Sequence, residues 1–214
     1  MNKNLTELIF ILDRSGSMGH LTDETIGGFN SLVEKQKKDG NAFLTTVLFD
    51  NEYELLHDHL PIEQVPTLTK NEYYVRGCTA LLDAVGKTMD AVGQRLANTP
   101  EEERPGKVIF TITTDGYENA SHSYTLSRIK EMITHQREVY KWEFVFLGAN
   151  IDAVETAETL GISRHMAKTY TASSQGCASI YTVMDKLISF MKINDYTDDD
   201  DYFEDCEEIL AEIH

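Results

Sequence analysis

The sequence has little of what a secreted, membrane-spanning or nucleic-acid-binding protein needs. Its 214 residues contain three cysteines, Cys78, Cys177 and Cys206, far apart and without a CxxC pair. An odd, scattered count fits neither a disulfide framework nor a zinc site, so a reducing, cytoplasmic setting is expected. No apolar run reaches the ~20 residues of a membrane span. The N-terminal run is cut short by Asp13 and is too brief for the core of a signal peptide. Lys and Arg number 19 against 36 acids, a net charge of −17, which argues against nucleic acid or an anionic membrane as the main partner. There is no phosphate-binding Gly-x-x-x-x-Gly-Lys and no internal repeat. The seven histidines are scattered, and the pair His57 and His59 reads as strand surface rather than as a metal site.

What remains is ordinary for a globular protein: 41% hydrophobic and 26% charged residues, enough for one domain with a sizeable core. The shortage of bases is uneven. Residues 195–214 hold ten acids and no Lys or Arg, leaving −7 on the rest. The expected organisation is therefore a domain over 1–194 and an acidic tail over 195–214. Composition favours a solvated, disordered tail; a second reading makes Tyr202, Phe203, Ile209, Leu210 and Ile213 a short docking helix. A third lets one of its carboxylates ligate a metal in the same or a neighbouring molecule, which would give a homo-oligomer. It is not an EF-hand, because no alignment puts Gly sixth with Glu twelfth.

Leu8-Ile9-Phe10-Ile11-Leu12 reads as a strand buried on both faces that stops at Asp13. Thr22 to Lys38 is helical in period, with Thr22 as cap; Phe43–Phe49 and Glu52–His57 flank an Asp50-Asn51 turn as a hairpin. A loop over Pro61–Tyr74 leads to a long helix from Leu81. Val108–Thr114 repeats the first strand and ends at Asp115, followed by a helix over about 125–140. Strand 143–147, a short helix at 153–160, strand 167–171 and an amphipathic helix Cys177–Lys192 complete the pattern. Alternating strands and helices predict an α/β, doubly wound, mostly parallel sheet with one antiparallel edge strand and helices on both faces. Crossover handedness then brings the strand ends at 12, 114 and 148 to one rim, where such folds bind ligands.

That rim would carry Asp13, Ser15, Ser17 and Asp115, with Asn150 or Asp152 as further candidates. Carboxylates and hydroxyls are hard donors suited to Mg²⁺ or Mn²⁺. The same residues could instead do no more than cap a helix or close a turn, but two strands each delivering a carboxylate to one rim favour a site. Ser15-Gly16-Ser17-Met18-Gly19 brushes against the serine-hydrolase elbow, yet Ser15 stands where Gly is wanted and no His is placed for a triad. A phosphoaspartate enzyme would want a carboxylate where Ser15 is. Cys78 reads as a small buried hydrophobe, Trp142 as packing, and Asn119 and Asn150 as residues that orient loops.

Asp13-Arg14-Ser15-Gly16-Ser17, Gly77-Cys78-Thr79-Ala80-Leu81 and Thr114-Asp115-Gly116 together resemble the von Willebrand factor type A family over about residues 5–193. The resemblance implies a metal-ion-dependent adhesion site: Ser15, Ser17 and Thr79 supply hydroxyls, and Asp13 and Asp115 supply carboxylates, some through water. The implied ion is Mg²⁺, with Mn²⁺ or Ca²⁺ as alternatives, its last position filled by an Asp or Glu of a protein partner. The family's metal-coupled last helix would be Cys177–Lys192. The implied function is protein binding in the manner of stand-alone bacterial members, without catalysis. The alternatives are a hydrolase or phosphatase using the same ion and self-assembly through the tail.

Overall fold

The computed structural model describes residues 1–194 and 200–213. Six strands form one sheet in the order β3-β2-β1-β4-β5-β6. They are β1 (Asn2–Asp13), β2 (Ala42–Phe49), β3 (Tyr53–Pro61), β4 (Pro105–Thr114), β5 (Glu143–Ala149) and β6 (Ala167–Tyr170). All pairs are parallel except β2–β3, the hairpin at the edge. The helices are α1 (Thr22–Asp39), α2 (Leu81–Asn98), α3 (Leu126–Tyr140), α4 (Ala153–Leu160), α5 (Ser174–Ile193) and α6 (Asp200–Leu210). The α/β, doubly wound reading of the sequence thus holds, one antiparallel edge strand included.

Central β1 is buried from Glu7 through Asp13 because helices cover both faces of the sheet. On one side Phe10 meets Phe29 of α1 edge-on at 5.7 Å; on another, Phe110 stacks on Trp142 and Phe144 at 5.3 and 4.9 Å. α1 and α5 lie together, and Gly28 makes that approach feasible: a Cβ there would fall 2.1 Å from the buried Tyr181 ring of α5. Gly28→Ala is accordingly expected to destabilise by about 1–3 kcal/mol through overpacking, read from the midpoint of a urea melt. No helix of the described residues is long and apolar enough to cross a membrane.

Two local expectations change. Thr22 does not cap α1; a 3-10 turn over Gly16–Leu21 precedes the helix, so Leu21 occupies the cap position without a side-chain bond. Cys78 is exposed rather than buried, because Gly77 at φ 67° turns the loop outward.

From Asp200 to Leu210 the acidic segment is helix rather than a solvated coil; residues 195–199 lie outside the described part. Tyr202, Cys206, Leu210 and Ile213 recur at helical spacing and are buried against α5, β6 and the turn at Arg164–Met166. The acids sit on the other face, where Glu207 meets His165 and Glu212 meets Lys186. Beneath the helix, Glu143 is 3% exposed and accepts a hydrogen bond from the Tyr202 hydroxyl.

Burial raises the Glu143 carboxyl from 4.5 to about 7, against the bond from Tyr202 and the charge of Lys107. A carboxyl raised on folding favours the protonated native state. Its contribution is full below pH 4.5 and is lost as pH rises through about 7. The wild type should therefore lose up to about 3 kcal/mol across that window relative to Glu143→Gln, checked by paired melts from pH 4 to 8. Parallel curves would refute the assignment.

Candidate metal centre

Strand order reverses direction at β1, so β1 and β4 part their connections to opposite sides and leave a crevice beyond their carboxyl ends. Leu12 lies in register with Thr113, which sets Asp13 beside Thr114 and puts Asp115 on the neighbouring loop. Asp13 is fully buried; its Oδ1 accepts the Ser15 N–H at 2.6 Å and its Oδ2 accepts the Thr114 hydroxyl at 2.6 Å. Ser17 donates to Asp115 Oδ1 at 2.5 Å, and the Ser15 and Ser17 hydroxyls lie 3.2 Å apart. A Cβ on Gly116 would stand 3.2 Å from Thr79 Oγ1 and 3.9 Å from Ser17 Oγ, so the third loop closes on the first two. Asp13, Ser15, Ser17, Thr79 and Asp115 thus share one spot.

The loops are held by backbone and by side chains that carry no recognition motif. Gly16 N–H donates to the Gly77 carbonyl at 3.2 Å, and Arg76 N–H to the Arg14 carbonyl at 2.9 Å. Gly77 has to be glycine on two counts, since besides its positive φ a Cβ would fall 1.8 Å from Asn51 Oδ1. Asn119 clamps Thr79 from both sides: its Oδ1 accepts the Thr79 N–H and its own N–H donates to the Thr79 carbonyl, both at 3.0 Å. Asp83 of α2 accepts the N–H groups of His122, Ser123 and Tyr124 at 2.8–3.1 Å, tying the loop after Asp115 to that helix. Burial pushes Asp83 up, but those three donors and Lys87 outweigh it and hold the carboxyl below its ordinary range. Tyr73, also buried, donates to the Asp13 carbonyl at 2.6 Å.

Arg14 and Asp50 were not singled out from the sequence. Arg14 is wholly buried, pairing with Asp50 at 3.1 Å and Glu54 at 2.6 Å, and Asp50 also holds Arg76 at 2.7 Å. The only signal was an Arg between two candidate ligands and an Asp at a strand end. Asn150 and Asp152 do local work instead of joining the cluster: Asn150 Oδ1 accepts the Ala172 N–H and Asp152 caps α4 through the Glu155 N–H. His57 and His59 diverge, to Thr46 and Glu7 respectively.

Electrostatically the spot is short of positive charge. Burial raises Asp13 to about 6, against the bonds from Thr114 and Ser15, and the charge of Asp115 adds to the rise. Asp115 is raised too, by burial, with Ser17 and His20 opposing. Arg14, next in the chain, is turned away to Asp50 and Glu54. The described residues contain no group of three or more His, Cys, Asp or Glu placed to hold a metal. The donor set here is instead three hydroxyls and two carboxylates, which fits a hard divalent ion that keeps some of its waters. Both Asp13 oxygens are already engaged, one by the Ser15 N–H of its own loop and one by Thr114 of β4, which fits a role through water better than direct ligation.

No protein-family model matches the sequence, and no curated protein matches it. Solved structures do match. The von Willebrand factor domain of the type V pili tip protein Mfa5 from Porphyromonas gingivalis superimposes with a TM-score of 0.64 at 9% identity, over 90% of this chain and 98% of that one. Proximal thread matrix protein 1 from the mussel byssus, solved with a zinc-occupied metal-ion-dependent adhesion motif, gives 0.59 at 16% identity, over 86% of this chain and 46% of that one. A von Willebrand factor type A protein from Catenulispora acidiphila gives 0.56 at 13% identity, over 85% and 42%. This chain thus spans under half the length of the mussel and Catenulispora proteins. Topology and superposition agree that the chain has the von Willebrand factor type A fold.

Proposed function

We propose that this chain is a divalent-metal-dependent protein-binding module. The observation that carries the reading is the convergence of Asp13, Ser15, Ser17, Thr79 and Asp115 from three separate loops onto one rim. Ser15, Ser17 and Thr79 would offer hydroxyls to the ion, and Asp13 and Asp115 would balance its charge. Bound there, the ion supplies a Lewis-acidic position that an outside carboxylate can take, so a partner presenting an Asp or Glu is the expected ligand. Mg²⁺ is the ion the oxygen donors favour, and the zinc-occupied motif of the mussel protein supports a divalent site in this fold. We place the protein in a reducing, cytoplasmic compartment, a reading supported by three free thiols of which Cys78 is exposed.

Binding is favoured over hydrolysis by shape. The rim presents exposed Ser17, Cys78 and Tyr117 to solvent. A hydrolase would want its walls around the ion. Affinity capture from a lysate of the source cell, with the wild-type chain in Mg²⁺, the wild type in EDTA and Thr79→Ala in Mg²⁺, tests the reading. A protein retained only by the first is expected. The same set in all three lanes would remove the rim as the recruiting surface.

A further inference from the structure

Away from the metal rim, at the foot of the sheet, a cavity of about 510 Å³ opens between the end of α2, the starts of β4 and β5, and the end of α3. Leu96 and Trp142, the latter 5% exposed, give it an apolar lining. Its lip is formed by Val139 and Tyr140, large apolar side chains left 56% and 60% exposed. Four cations surround it, Lys3, Arg104, Lys107 and Lys141, in a chain whose acids outnumber its bases 36 to 19.

Two of these cations carry most of the argument. Among the described residues, neither Lys3 nor Arg104 has a carboxylate within ion-pair distance. The Arg104 guanidinium is oriented by the carbonyls of Thr99 at 2.8 Å and Ala97 at 3.3 Å, which fix the fork without cancelling its charge. Lys107 donates to the Asn194 carbonyl and acts electrostatically on Glu143, so it is not counted among the cations that would meet a ligand. The acid among the described lining residues is Glu143, which is 3% exposed and whose carboxyl is engaged by the Tyr202 hydroxyl.

We propose that this cavity is a binding site for a small amphipathic anion, an acyl or aryl carboxylate whose apolar body lies against Trp142 and Tyr140 and whose headgroup meets Arg104 and Lys3. The volume falls in the ~300–1,000 Å³ range of small-molecule sites. A guanidinium held in a fixed plane suits bidentate pairing with a carboxylate. The overall charge of −17 repels a long polyanion but admits a ligand with a single charge next to the basic cluster. The site shares no residue with the metal centre, so it stands or falls independently of the binding function proposed for the rim.

Trp142 is the only tryptophan in the chain and lines the cavity, so its fluorescence is a local reporter. The full-length protein would be titrated with 11-bromoundecanoate, whose bromine quenches an indole at near contact, and in parallel with the uncharged 11-bromoundecanol. Saturable quenching by the carboxylate, at least about tenfold tighter than by the alcohol, is expected from a charge-assisted contact. Lys3→Glu and Arg104→Glu should each weaken it by a similar factor while circular dichroism and the melting curve show the fold retained. Lys3 is exposed near the start of β1, so its variant keeps the test open should Arg104→Glu fail to fold. Unsaturable quenching, equal affinity for acid and alcohol, or an unaffected Lys3→Glu variant would each overturn the proposal.

Discussion

Arg14→Ala is expected to destabilise the fold by about 3–5 kcal/mol, because it takes one of two guanidinium partners from a buried carboxylate and empties a large buried volume. Asp50 is wholly buried and accepts from Arg14 Nε at 3.1 Å, Arg76 Nε at 2.7 Å and the Glu52 N–H at 2.6 Å. Removing Arg14 strips one charged donor from that oxygen set and empties the volume of one of the largest fully buried side chains. It also frees Tyr74, whose ring lies 5.3 Å from the Arg14 guanidinium and 5.6 Å from that of Arg76. Glu54, the other partner, is 41% exposed and its removal leaves the Arg14–Asp50 pair in place, so Glu54→Ala should cost less than Arg14→Ala. Urea melts of both variants decide the matter. If Arg14→Ala costs no more than Glu54→Ala, the buried pair is not what anchors the loop.

The placing of Arg14 marks where reading the sequence stopped. The Asp-x-Ser-x-Ser pattern ignores its second position, and nothing in spacing says that this residue faces inward. The ligand residues were legible for the opposite reason. Short apolar runs ending at Asp13 and before Asp115 declare strand ends, and parallel topology forces strand ends onto one rim. Asn119 and Asp83 escaped notice in their full roles because both act on backbone groups of other loops, a relation that only the folded chain defines. Cys78 was misjudged because an apolar side chain before a helix looks like core, whereas the positive φ at Gly77 decides its direction.

At the acidic end the docking-helix reading, ranked second from composition, is the one that the described residues match. Ten acids in twenty residues favour coil, yet Tyr202, Leu210 and Ile213 of the expected helix, joined by Cys206, form one apolar stripe, while Asp201, Glu204, Asp205, Glu207 and Glu208 are exposed. Net charge opposes folding only weakly when like charges share a solvated face. The buried stripe was the better guide, and docking onto α5 is what converts it into a helix.

The other large effect should appear on adding metal. Without a cation, Asp13 and Asp115 are two carboxylates pushed up by burial, so the native state carries an electrostatic cost at neutral pH. A divalent ion at the rim would turn that cost into binding energy. At a hundred times its dissociation constant, Mg²⁺ should stabilise the wild type by about 2.7 kcal/mol, read as an upward shift in melting temperature that EDTA reverses. Asp115→Ala removes one of the two carboxylates and frees the Ser17 hydroxyl it accepts from, at 2.5 Å. That variant should be no less stable than wild type in EDTA and should show no shift with Mg²⁺. Thr79→Ala removes a hydroxyl and no charge, so it should keep a shift but need about 10–100-fold more metal to reach it. Asn119→Ala, which touches only the backbone of Thr79, should fall between that variant and wild type. The ordering separates a metal site from a charge cluster. Simple screening of two carboxylates would respond to ionic strength, would be indifferent to Thr79, and would be matched by Na⁺ at equal screening. If Mg²⁺, Mn²⁺, Ca²⁺ and Zn²⁺ all leave the wild-type melt where EDTA leaves it, the converged oxygens are a turn, and the proposed function fails with them.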